Sequence, residues 1–110
     1  MKIRITESLD VDLAAERWRC HHCGHTLADA RVDYKTGCLV AEVSLEKAHP
    51  SLVEGAARSF TPDPDYCRLI EFYCPGCTVT IESEYLPPGH PPTHEIELDI
   101  DALKRRYGVE

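Results

Sequence analysis

Apolar and polar positions alternate from the start of the chain: Ile3 and Ile5 stand against Lys2, Arg4 and Thr6, and Leu9, Val11 and Leu13 continue the rhythm. A period of two is that of a half-buried strand. Arg17, Trp18 and Arg19 then lead into Cys20. Asp33 to Gly37 reads as a turn, and Cys38 to Leu45 as a β-rich run. His49-Pro50 punctuates the pattern. Residues 51–59 are expected to hold a short helix, broken by Thr61 to Asp65 with its two prolines. Tyr66 to Cys74 is apolar and aromatic, as a buried strand requires. Thr78 to Tyr85 alternates, with Val79, Ile81 and Tyr85 expected on one face and Thr80, Glu82 and Glu84 on the other. Pro87 to His94 reads as an extended, polyproline-like segment, and Glu95 to Ile100 as a further alternating strand. Asp101 is placed to cap a last helical turn or two, Ala102 to Tyr107, with Gly108 as the stop. These elements predict a mainly β, small α+β protein of one domain over residues 1–110. No repeat beyond two cysteine pairs and no linker divides it.

Those pairs carry the chemistry. Cys20-His21-His22-Cys23 is followed by Gly24, and the second pair is Cys74-Pro75-Gly76-Cys77. Each puts two thiols on one tight turn, and two such turns facing each other make the four-thiolate tetrahedron that zinc prefers. Pairs of this kind are usually separated by about 15–20 residues; here residues 24–73 intervene. Closing the longer loop costs on the order of 1 kcal/mol more, against roughly 10 kcal/mol or more from structural zinc. The expected ligands are Cys20, Cys23, Cys74 and Cys77, around one structural Zn²⁺. Strand, knuckle and strand over 66–85 make a zinc-ribbon hairpin, with the β segment 38–45 inserted between the knuckles.

Other readings of the same residues are weaker. A rubredoxin-like iron site also uses paired Cys-x-x-Cys knuckles, so zinc against iron stays open here. A dithiol redox motif would place its nucleophile at a helix N-terminus, whereas a strand pattern follows Cys77. His21, His22 and His25 surround the first knuckle and read as exposed or supporting imidazoles rather than ligands. Cys38 and Cys67 lie in apolar runs and read as packed thiols. Four thiolates close a metal site, while a catalytic zinc keeps one position open. No Ser-His-Asp order or phosphate-cradling glycine loop is present, so no catalytic residue is assigned.

The net charge of −7, from 19 acidic and 12 basic residues, argues against a nucleic-acid partner. The one basic cluster, Lys104 to Arg106, suits the C-terminal end of a helix dipole. No apolar run reaches membrane-spanning length, and the start Met1 to Ser8 has no export-type apolar region. The expectation is a cytoplasmic protein with reduced thiols and no membrane partner.

With these residues in place, the chain resembles the small zinc-binding subunit of the acetone carboxylase and acetophenone carboxylase family, nearer the acetophenone version. The similarity rests on Glu71 to Cys77, the alternating strand to Leu86, and Pro87 to His94 running into Glu95 to Asp101. Cys20 to Gly24 matches in kind, and residues 26–65 match weakly. Thr78 departs from the glycine often found after the second knuckle. The resemblance implies a hetero-oligomer that uses ATP, without biotin, to join a ketone and bicarbonate into a β-keto acid. Larger subunits would run that chemistry, and this chain would be a non-catalytic part holding metal through Cys20, Cys23, Cys74 and Cys77. The rivals are an independent zinc-ribbon module for nucleic acid or transcription machinery, and an iron electron carrier.

Overall fold

The computed structural model describes residues 1–45 and 66–110; the helix expected over 51–59 and its flanking breaks fall outside them. The first four strands, β1 (Lys2–Arg4), β2 (Leu9–Asp12), β3 (Arg17–Cys20) and β4 (Thr26–Asp29), form an antiparallel meander in chain order. The opening alternation is therefore two strands rather than one. Thr6 makes the reversal: its hydroxyl accepts from the Ser8 and Leu9 amides at 3.3 and 3.1 Å, the local side-chain turn that threonine favours. Register places Ile3 opposite Val11, Val11 opposite Trp18 and Leu9 opposite Cys20. That face is buried, with Leu9, Val11, Leu13 and Trp18 in one core. The opposite face is a ladder of charge, with Arg17–Asp29 and Arg19–Asp12 ion pairs at 2.6 and 3.0 Å.

β4 carries no strand signal in the sequence, because both its faces are used. Ala28 packs toward Trp18, and Leu27 is buried beneath a 3-10 turn, Tyr34–Gly37. Asp33 caps that turn through the Lys35 amide. Gly37 lies so close to β4 that a Cβ on it would enter the Leu27 carbonyl. Trp18 meets Tyr34 edge to face at 5.6 Å and donates its indole N–H to the Val32 carbonyl.

β5 (Leu39–Val43), β6 (Arg68–Tyr73) and β7 (Thr80–Leu86) make a second antiparallel sheet in that order. Here the face expected for β7 changes partway. Tyr73 pairs with Thr80 and Phe72 with Glu82, so Ile81 is a one-residue bulge. A bulge switches every later side chain to the other face. Ile81 accordingly enters the first core, Glu84 and Leu86 turn inward beside Ile70 and Phe72, and Tyr85 faces out.

After β7, Pro87 to His90 forms a turn: the His90 amide donates to Pro87 at 3.1 Å and Gly89 has φ +80°, the position where a type II turn needs glycine. The strand expected over 95–100 joins no sheet. Its alternation survives as burial, with Ile96, Leu98 and Ile100 packed on the first core. Helix α1 (Ile100–Tyr107) is capped by Asp99, not Asp101, because the Asp99 carboxylate reaches the Ala102 amide at 3.0 Å. Asp101 instead pairs with Arg31. Gly108 ends the helix at φ +68°, with Gly108 and Val109 amides returning to Arg105 and Lys104, a Schellman stop. Glu16 clamps α1 to the first sheet through Lys104 at 2.9 Å and Arg31 at 2.7 Å.

The proline-rich stretch is tied down along its backbone. Lys35, only 4 % exposed, donates to the Thr93 carbonyl at 2.5 Å and pairs with Glu84 at 2.9 Å, itself 9 % exposed. Glu84 accepts from the Thr93 amide, Arg68 donates to the His90 carbonyl, and Tyr34 donates to Glu95 at 2.8 Å. Burial, then the Glu95 carboxylate, holds the Tyr34 phenol well above its ordinary range.

Candidate metal centre

The two cysteine pairs sit on turns that follow one plan. In the first, the Gly24 amide donates to Cys20 at 2.9 Å and the Cys20 amide to His25 at 2.9 Å. In the second, Thr78 donates to Cys74 at 2.8 Å and Cys74 to Val79 at 3.0 Å. Each hairpin also has its register irregularity just before the first cysteine, at Trp18/Arg19 and at Phe72/Tyr73. Gly24 has φ +77° and Thr78 has φ +63°. The knuckle geometry is thus met at both turns. At the second, a β-branched residue sits in the left-handed region and carries a strain of order 1–3 kcal/mol.

The turns face each other across the junction of the two sheets. All four sulfurs lie within 4.8 Å of one another. Cys20 Sγ is 3.7 Å from Cys77 Sγ, and Cys23 Sγ is 3.6 Å from Cys74 Sγ. Tetrahedral zinc with Zn–S near 2.3 Å implies sulfur edges of about 3.8 Å, so the cage has the size of a metal ion. Cys20 and Cys74 are buried in the core, whereas Cys23 and Cys77 are exposed.

The surroundings pull the cage thiols in opposite directions. The Gly76 amide donates to Cys74 Sγ at 3.3 Å. Burial works against the Cys74 thiolate, but amide hydrogen bonds from Cys77 and Gly76, with the contacts of the Cys23 and Cys20 thiols, outweigh it and its pKa is lowered. At Cys20 burial prevails and pushes the thiol up to about 12. Without a cation, four clustered sulfurs cannot all be anions. A metal ion resolves that by displacing the protons. Gly76 is needed at the rim, since a Cβ there would stand 3.2 Å from Cys23 Sγ and 3.0 Å from His25 Cβ.

The histidines support the first knuckle from outside the cage. His21 Nδ1 is 2.7 Å from Asp10 Oδ1, and His22 Nε2 is 3.3 Å from Ser8 Oγ. Both contacts run to β2 or the turn before it. The sequence marks the histidines but not these partners, which only strand pairing brings close. Cys38 packs between the two cores, and burial raises its thiol to about 11. Neither Cys38 nor Cys67 belongs to the four-thiol group. Among the described residues, no helix is long and apolar enough to cross a membrane.

The sequence has counterparts among known proteins. The family model for the acetone carboxylase gamma subunit matches residues 3–108. The chain is 57 % identical over 105 residues to the acetophenone carboxylase beta subunit of Aromatoleum aromaticum, covering 96 % of this chain and 81 % of that one. It is 26 % identical over 95 residues to the acetone carboxylase gamma subunit of Xanthobacter autotrophicus, covering 84 % of this chain but only 54 % of that longer protein. A family match that runs from β1 to the end of α1, with 57 % identity to one such carboxylase subunit over 96 % of the chain, establishes that this chain belongs to the acetone carboxylase gamma subunit family.

Proposed function

We propose that the chain is the structural, zinc-binding small subunit of a cytoplasmic, ATP-dependent and biotin-independent ketone carboxylase. The reaction would join a ketone of the acetophenone or acetone type with bicarbonate to give a β-keto acid. The observation that carries this reading is the four-sulfur cage on two equivalent turns, in a chain of this family. Zinc held by Cys20, Cys23, Cys74 and Cys77 supplies charge and connectivity rather than an open coordination site. It joins the β3–β4 hairpin to the β6–β7 hairpin at the sheet junction. The chain's own role is to hold one shape for its larger partners, on which the nucleotide and ketone chemistry takes place.

Native mass spectrometry of the gently purified tagged chain, from its host grown on an aromatic ketone, tests this directly. Stoichiometric larger subunits and one zinc per chain are expected. A zinc-bearing chain without those subunits would transfer the reading to an independent ribbon module, and a red, iron-loaded chain to an electron carrier. Cys74→Ser is expected to lose metal and assembly together, whereas Cys38→Ser keeps both. A metal-free Cys74→Ser chain in an intact, active complex would refute the structural role of the site.

A further inference from the structure

Residues 94–98 run beside the first core without joining any sheet, and their burial alternates with the period of an extended chain. Among the described residues, their amides and carbonyls make no backbone hydrogen bond. The stretch is nonetheless held at both ends: Thr93 is tied to Lys35 and Glu84, and Asp99 opens α1. Ile96 and Leu98 anchor it from below. A groove of about 230 Å³ runs along it, walled on the far side by Ala30, Arg31 and Val32. A backbone of extended period whose amides and carbonyls have no backbone partner among the described residues, with a groove alongside, is a strand acceptor. It takes an added β-strand at little ordering cost.

We propose that residues 94–98 receive an extended segment of a larger carboxylase subunit as an added strand, a proposal that rests on the subunit reading above. The charge of this edge selects the occupant. Glu95, Glu97 and Asp99 form an exposed acidic row beside His94, on a chain of net charge −7. A second copy paired here would set like charges opposite each other, which destabilises a strand pair. A segment bearing lysine or arginine at alternate positions meets the row with opposite charge. Glu97 is the member of the row that no cation or cap engages among the described residues, so it remains available to such a partner.

Amide hydrogen exchange compares the free full-length chain with the purified complex. The amides of residues 95–98 are expected to exchange rapidly in the free chain and to slow at least about 100-fold in the complex. Glu97→Lys, an exposed substitution, is expected to weaken incorporation about tenfold while leaving metal content unchanged. Incorporation with no added protection at 95–98, or an unchanged affinity for Glu97→Lys, overturns the proposal and leaves the subunit reading standing. Protection that appears in the free chain as its concentration rises overturns it in favour of self-pairing. A wild-type chain that joins no larger subunit removes the reading on which the proposal rests.

Discussion

Replacing Lys35 by methionine tests how the strap over residues 87–99 is held. The ammonium lies 2.9 Å from Glu84 Oε2, 3.5 Å from Glu95 Oε1 and 2.5 Å from the Thr93 carbonyl. It also stands 5.2 Å from the Phe72 ring centre and 5.7 Å from that of Tyr34. Methionine keeps the apolar stem but leaves the Glu84 carboxylate buried without its cation. Breaking a buried pair from one side costs about 3–5 kcal/mol, a large share of the roughly 5–15 kcal/mol that holds a small domain together. The melting temperature should fall by more than about 10 °C. The paired change Lys35→Met with Glu84→Leu removes both charges, and should recover stability to within about 1 kcal/mol of the parent. Urea unfolding followed through Trp18, the chain's one tryptophan, reads the effect, with zinc at one fixed excess so that metal linkage is constant. A cost below about 1 kcal/mol for the single change, or a double change no better than the sum, would refute the account. The second result would mean that the strap is held by its prolines and apolar contacts instead of by the buried ion pair.

Further outcomes follow from the backbone and from the charged ladder. Thr78→Gly relieves the left-handed β-branched residue and should raise the urea midpoint by the equivalent of about 1 kcal/mol; an unchanged or lower midpoint would show that Thr78 is not strained. Gly37→Ala drives a methyl into the Leu27 carbonyl and should cost at least about 2 kcal/mol, measured by the same unfolding; a neutral result would mean that the 3-10 turn can lift from β4. Glu16 lies below its ordinary value of 4.5, chiefly through hydrogen bonds from Lys104 and then Arg31. Asp101, held by Arg31, is likewise below 3.8. Their folded-state pKa values are depressed, so the stability they add is fully present above about pH 4.5 and is lost as pH falls through the depressed values. Glu16→Gln should therefore lower the urea midpoint at pH 6 and lower it by less as the pH falls through the depressed value; an equal loss at pH 6 and at pH 3 would show that the ion pairs do not contribute through charge.

The sequence by itself determined the parts that depend on short-range pattern. Two Cys-x-x-Cys turns specify sulfur pairs whatever surrounds them, since the spacing alone brings two thiols to one turn. Alternation over 38–45 and 66–85 specified the strands that become β5, β6 and β7, and Gly108 specified the end of α1. Tertiary structure decided what depends on partners distant in the chain. It brought the two pairs together, because only the packing of both sheets on one core sets the β3–β4 turn against the β6–β7 turn. It turned the first alternating run into a hairpin through Thr6. It reversed the second half of β7 through a bulge at Ile81, placing Glu84 inside and Tyr85 outside. It made a strand of Thr26–Asp29, which is short and packs Leu27 and Ala28 on opposite faces, so no period shows. It also left residues 95–99 extended but unpaired, where alternation implied a strand. Period two reports which side chains face a core, and burial alone satisfies it; a ladder needs a neighbouring backbone, which the pattern of one segment does not contain. Lys35 shows the same limit in charge. The sequence presents an ordinary lysine in a turn, and the fold buries it among Glu84, Glu95 and Thr93, residues that join it only after β7 and the proline-rich strap have closed over the 3-10 turn.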